Sequence, residues 1–459
     1  MHSRAANADS RLSFWRRVRE FAVPQSMIER ATARRRVGDW GGACAAARVD
    51  ADISLRAVAN QHGRELAARL RADLRHLAPD LLRWHLPRVA PDGLLRPGLT
   101  LSLIRYDPEQ PDGNAVHLVA RTAPAWADAG QRISLGLWDR SRRGSGPRSH
   151  PDQRFRLDLH RHLFDARRTA ELRARSGAGR SSAAAPPAGV PDTVEAGCAT
   201  DRWPAEAALL LAADGRASGA VVVRLGARRR LVLDVTASAD GGRSPVARVS
   251  TREGGTGLPV LPDAATWVLP DLALLRAGLV EPDRLHPLVT AALVPERPVP
   301  ERPVPPGSAA SYPAAAPRLV SCRGAHHRIG LVDGVLATFD HSPAEIRREE
   351  LLASLTGTPL PCLRAIDEAH RQPECLPDVR ARLDHGDTAG ALATVEALLG
   401  PDALLRDGAL RDELETAAQR RITHALFRAG LIGAERGPTA DAPRRSGPRR
   451  RRTRHATSG

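Results

Sequence analysis

The apolar residues change their spacing along this chain, and that change limits what it can fold into more than any bulk property does. Up to about residue 90 they recur every three or four positions: Leu66, Leu70, Leu74 and Leu77 form one stripe of a helix that must end before Pro79. From about residue 98 the period falls to two. Leu99, Leu101 and Leu103 alternate with Thr100 and Ser102, and Ile133, Leu135 and Leu137 with Arg132, Ser134 and Gly136, which predicts half-buried strands. Phe155, Leu157 and Leu159 continue the alternation and predict a further strand of the same sheet. A second β region follows, with strands expected over 207–213, 220–225 and 230–236 and a turn at Asp214 and Gly215.

Punctuation residues mark where these segments start and stop. Ser26 with Glu29 has the capping-box pattern and predicts a helix running to about Gly38; Ser342 with Glu345 repeats it, with Pro343 at the first helical position. The pentapeptide Val-Pro-Glu-Arg-Pro occurs twice in tandem, from Val294 and from Val299, a pattern for a stiff polyproline II spacer. Together these signals predict an α+β protein: a helical N-terminal region (1–90), an antiparallel β module (98–165), a flexible linker (175–203), a β-meander module with a short helix (206–290), a Pro-rich linker (293–317), a hairpin plus C-terminal helical bundle (318–435) and a disordered basic tail (436–459).

Two octets echo each other. Residues 38–45, beginning Gly38-Asp39, and 386–393, beginning Gly386-Asp387, are identical at five of eight positions. The pattern suits a tight turn between helices, with Gly in the left-handed cap, Asp capping the next helix and small residues allowing close approach. It resembles the turn of a tetratricopeptide-type hairpin, although two distant copies do not make an array.

Charge and missing chemistry narrow the function. The net charge is +16, and all 68 basic residues are arginine. The absence of lysine removes the phosphate-loop, Schiff-base and protein-kinase lysines outright. Together with only three asparagines (7, 60 and 114) it indicates GC-rich codon usage, so the arginine count alone is no sign of nucleic acid; the net charge still attracts polyanions. Five scattered cysteines (44, 198, 322, 362 and 375) without a Cys-x-x-Cys spacing fit a reducing cytosol. No secretory apolar segment or run long enough for a membrane span is found, so a soluble cytoplasmic protein is expected.

Two constellations stand out. Arg444, Arg445, Arg449, Arg450, Arg451, Arg452 and Arg454 form an acid-free cationic run able to bind polyanions, nucleic acid among them, without sequence preference. The second is the hairpin around Asp333-Gly334. A two-residue turn there pairs residues whose numbers sum to 667, which would set His326 opposite His341 and His327 opposite Asp340, with Cys322 on the face of His326. Cys322, His326 and His341 are therefore the candidate metal ligands, and a metal-assisted enzyme at 322–341 is the alternative function. Short catalytic signatures are absent, no cofactor is expected, and the leading expectation is a non-enzymatic interaction or scaffold protein whose partners are other proteins.

Overall fold

Three helices open the chain. A computed structural model describes residues 2–108, 114–140, 150–179, 187–191, 194, 197–226, 229–236, 246–250, 257–295, 318–322, 324–357 and 359–432. Within these, α1 (His2–Phe21), α2 (Gln25–Arg36) and α3 (Trp40–Ala46) lead into β1 (Val49–Ala51). The capping box expected at Ser26 is not formed. Pro24, with its φ held at −60°, starts α2 instead, and Ser26 sits in the first turn accepting hydrogen bonds from the Arg30 guanidinium. The helices α4 (Leu55–His62), α5 (Arg64–His76) and α6 (Pro79–His85) follow, and α5 buries Leu66, Leu70 and Leu74 as their spacing predicts.

The small pair β2 (Arg88–Val89) and β3 (Leu94–Leu95) precedes β4 (Thr100–Tyr106), β5 (Val116–Thr122) and β6 (Ile133–Asp139). These three pair antiparallel in the order 4-5-6, and β1 adds to β6 in parallel, Val49 opposite Ile133, so the helical region lends the sheet an edge strand. β4 is buried on both faces except at Arg105; the 3-10 turn Leu157–Leu159 packs on it, flanked in sequence by two more (Gln153–Phe155 and Arg161–Leu163). The strand expected at 155–159 is instead the end of the first of those turns and the whole of the second. Asp152 accepts from the Arg154 backbone N–H and starts the turn locally, so two apolar residues at i, i+2 serve a 3-10 segment here.

After α7 (Glu171–Ser176) comes α8 (Trp203–Ala213), a helix where a strand over 207–213 was expected. A short, wholly apolar run carries no period to separate the two; Pro204 in the first turn and the alanines favour the helix. β7 (Gly219–Arg224), β8 (Arg230–Thr236) and β9 (Val246–Val249) form the expected antiparallel meander, with Leu233 and Val235 on its buried face. Three short helices, α9 (Asp263–Thr266), α10 (Pro270–Arg276) and α11 (Pro287–Leu293), complete this half. The C-terminal part holds the sheet β10 (Arg318–Cys322), β11 (Ala325–Val332) and β12 (Val335–Thr338), then α12 (Pro343–Thr356), α13 (Pro361–Arg371), α14 (Leu376–Asp384), α15 (Thr388–Leu399) and α16 (Ala409–Arg428).

The fold is thus mixed α+β, and burial divides the described residues into four cores. The first joins Val18, Leu74, Trp84 and Leu135 to Leu272 and Val289. The second, around Trp203, Leu210, Leu233 and Leu261, is built from residues that fall in sequence between the two halves of the first. The third centres on Val379, Leu399 and Leu410 and the fourth on Cys322, Ile329, Cys362 and Ile366. Each fully buried leucine or valine contributes about 1.5–3 kcal/mol. No described helix is long and apolar enough to cross a membrane. The cationic run from Arg444 to Arg454 and the Pro-rich repeat from residue 296 on lie outside the described residues.

Candidate functional site: the C-terminal hairpin and its leucine-bearing helix

The β11–β12 turn has the expected form. Asp333 and Gly334 take φ of 48° and 79°, the left-handed pair of a two-residue hairpin, and the ladder from Val332↔Val335 to Ile329↔Thr338 keeps the predicted register. It continues one step, the Phe339 N–H donating to the Arg328 carbonyl at 2.9 Å. Then the Arg328 N–H goes to the Asp340 carboxylate at 2.8 Å, a side chain replacing the backbone acceptor, and the chain leaves the sheet for the Ser342 cap.

That exit rearranges the candidate ligands. His341 stacks on His327, ring centroids 4.4 Å apart, and not on His326. His326 pairs with Ser321 of β10 and is exposed, whereas Cys322 pairs with Ala325 and points to the opposite face, into the fourth core. Cys322, His326 and His341 are therefore not brought together. Among the described residues no group of three His, Cys, Asp or Glu side chains is placed to hold a metal.

Helix α12 is the unusual element here. It carries the complete capping box, Ser342 Oγ accepting from the Glu345 N–H at 3.3 Å and Glu345 accepting from the Ser342 N–H at 2.7 Å, so it is well started. Its burial is inverted. The side it turns to the protein carries Ile346, Glu349 and Ala353, with Glu349 buried, while Leu351, Leu352 and Leu355 are 60%, 47% and 84% exposed. At 100° per residue these leucines and Arg348 make one stripe on the far side. An amphipathic helix normally buries its leucines.

The rest of the C-terminal part is firmly seated. α14 and α15 join through the second octet and meet the N-terminal half along a polar seam. The Arg48 guanidinium donates to the His385 carbonyl at 3.2 Å and lies 3.8 Å from Asp387; His385 Nε2 donates to the Asp92 carbonyl at 3.1 Å; His424 Nδ1 donates to the Ala127 carbonyl at 2.9 Å. Arg428 forks onto Asp52 at 2.8 Å, and Trp126 packs edge-on against Phe427. Burial, reinforced by Arg88 and Arg83, drives the His385 pKa down to about 3, and burial lowers Arg48 to about 10 and Arg88 to about 9. Asp128, beside the same arginines, is raised to about 6 by its burial.

Sequence reasoning missed the charged groups inside the first core. Arg19 forks onto Asp271 with two 2.8 Å bonds, Trp84 Nε1 donates to the same carboxylate at 3.0 Å, and His286 Nε2 sits 3.0 Å from Asp80. Desolvation opposes ionisation of Asp271, but Arg19 and His85 outweigh it and hold the carboxyl well below its usual range. These groups satisfy one another across up to 252 positions, and all are enclosed, which makes them ties between helices. No periodicity reports pairs so far apart. No family model, curated protein or solved structure matches the chain.

Proposed function

We propose that this is a non-enzymatic interaction or scaffold protein of the cytosol, and that α12 is its principal docking element. The observation that carries the reading is the solvent-facing stripe Leu351, Leu352 and Leu355 on a helix with a strong N-terminal cap. Exposed leucines at i, i+1 and i+4 give a partner groove the anchors that helix-in-groove recognition uses. A second helical face adds to it: the groove between α2 and α3, about 460 Å³, has a floor of Ala33, Gly42, Ala45 and Ala46 and a rim of Arg30, Arg34 and Asp39. The cationic residues Arg444 to Arg454 add non-specific attraction to polyanions, with a log–log salt slope of about −6 if all seven neutralise phosphates.

The test compares native-extract partners of the full chain with those of a Leu351→Gln, Leu352→Gln, Leu355→Gln variant at moderate salt. These side chains are exposed, so circular dichroism and Tm stay unchanged while the retained partners are lost. A variant that keeps the same partners refutes the role of α12. Truncation at about Asp441 removes the polyanion component, and an unchanged salt slope on mixed-sequence DNA refutes that part.

A further inference from the structure

Cys322 and Cys362 are the one pair of cysteines that share a core. Cys44 belongs to the first, Cys198 packs on the second and Cys375 on the third, while Cys322, at the end of β10, and Cys362, in the first turn of α13, sit together with Ile329 and Ile366. Both are fully buried and free, and β10 and α13 pack directly on each other. The two thiols are neighbours in that core: burial first, and then the proximity of Cys322, push the Cys362 pKa up to about 11.

We infer that Cys322 and Cys362 form a reversible intramolecular disulfide when the protein meets a low-molecular-weight disulfide of the glutathione class. One protein thiol, as its thiolate, attacks the small disulfide, forming a mixed disulfide and expelling one small thiolate. The second protein thiolate then attacks the protein-side sulfur, the Cys322–Cys362 S–S bond forms, and the second small thiolate leaves. Two electrons pass from the protein to the small disulfide, and the two thiol protons end on the two released small thiols.

Access comes through β10. It is a five-residue edge strand paired, among the described residues, with β11 alone, so it opens at lower cost than an interior strand, and the reaction is slow because both thiols are enclosed and the raised pKa of Cys362 keeps it mostly protonated at neutral pH. The bond closes a loop over residues 323–361, which contains β11, β12 and α12. The inference rests on the thiols alone and does not require α12 to dock anything.

The experiment incubates the full native chain with glutathione disulfide, quenches with acid, denatures, and alkylates the remaining thiols for intact-mass and peptide analysis. Alkylated sites fall from five to three, the lost pair maps to Cys322 and Cys362, and no glutathione is retained. Cys362→Ser and Cys322→Ser each stop at the mixed disulfide and retain one glutathione. Dithiothreitol restores five sites in the wild-type chain, and the oxidised form melts several degrees higher because a long loop is closed. Five alkylated sites after oxidation, or a lost pair that includes Cys44, Cys198 or Cys375, overturns the inference without recourse to any variant.

Discussion

The two Gly-Asp turns have the same backbone and opposite surroundings. At the first, Gly38 takes φ of 76°, the Asp39 N–H donates to the Arg34 carbonyl, the Gly42 N–H donates to Asp39 Oδ1 at 2.8 Å, and the Arg34 guanidinium reaches Asp39 Oδ2 at 3.3 Å. At the second, Gly386 takes φ of 81°, the Asp387 N–H donates to the Arg382 carbonyl, the Gly390 N–H donates to Asp387 Oδ1 at 3.1 Å, and Arg382 reaches Asp387 Oδ2 at 3.2 Å. The residue before the glycine differs most: Val37 is 77% exposed and His385 is 2% exposed. One octet therefore sets the turn, and tertiary contact alone decides whether the turn faces water or seals the seam.

Substitutions at matched positions sharpen that contrast. Gly386→Ala meets both left-handed strain and an overlap of the new Cβ with the Gly130 carbonyl and Arg48, and is expected to cost about 3 kcal/mol in urea unfolding. Gly38→Ala has open space and costs about 1 kcal/mol, from φ alone. Equal losses would show that the second turn is not pressed against Gly130. Asp387→Ala removes a cap and leaves the largely buried Arg48 without its carboxylate neighbour, for about 2 to 3 kcal/mol, against about 1 for Asp39→Ala.

The next effect is one of pH. His385 titrates lower folded than unfolded, so the unfolded chain takes up its proton first; the stability that neutral His385 represents is complete above about pH 6.5 and is lost as pH falls toward 3. Between pH 7 and 5 this amounts to about 2 kcal/mol. His385→Gln should reduce the slope of stability in that window by this amount, leaving the part due to other buried histidines such as His162, and Val37→His, at the exposed counterpart, should add none; a slope unchanged by His385→Gln assigns it elsewhere. The smallest expected change is Arg34→Ala, below about 0.5 kcal/mol, since that ion pair lies in solvent.

What could be read from the residues was local. The octet turns, the Asp333-Gly334 hairpin, the Ser342–Glu345 box and the leucine stripe of α5 follow from spacings within eight residues or so, and each takes the form expected. Readings failed where local signals were ambiguous or interrupted. The apolar run 207–213 fits either element, Pro24 pre-empts Ser26, and Asp340 ends the ladder one pair before His341 could meet its partner. Arg34 and Arg382, five positions before each turn aspartate, lie outside the octets, and their role was not legible. The exposure of Leu351, Leu352 and Leu355 was out of reach, because sequence gives an amphipathic stripe without saying which side the protein covers.

The first core is interrupted by the second, and this has a consequence for a chain as it is synthesised. Arg19 must wait for Asp271, and Asp80, which has the Arg35 guanidinium 3.8 Å away within the early helices, must wait for its 3.0 Å contact with His286, so a chain still attached to the ribosome with fewer than about 270 residues released carries an unmatched Arg19 where its interior will be. The meander between them draws its buried core from Trp203 through Ala265, with Leu159 and Val190 packed against it and Glu206 held by His160 and Arg175. Arg19 and Asp80, near the amino terminus, therefore acquire their last partners only after most of the first three hundred residues have emerged.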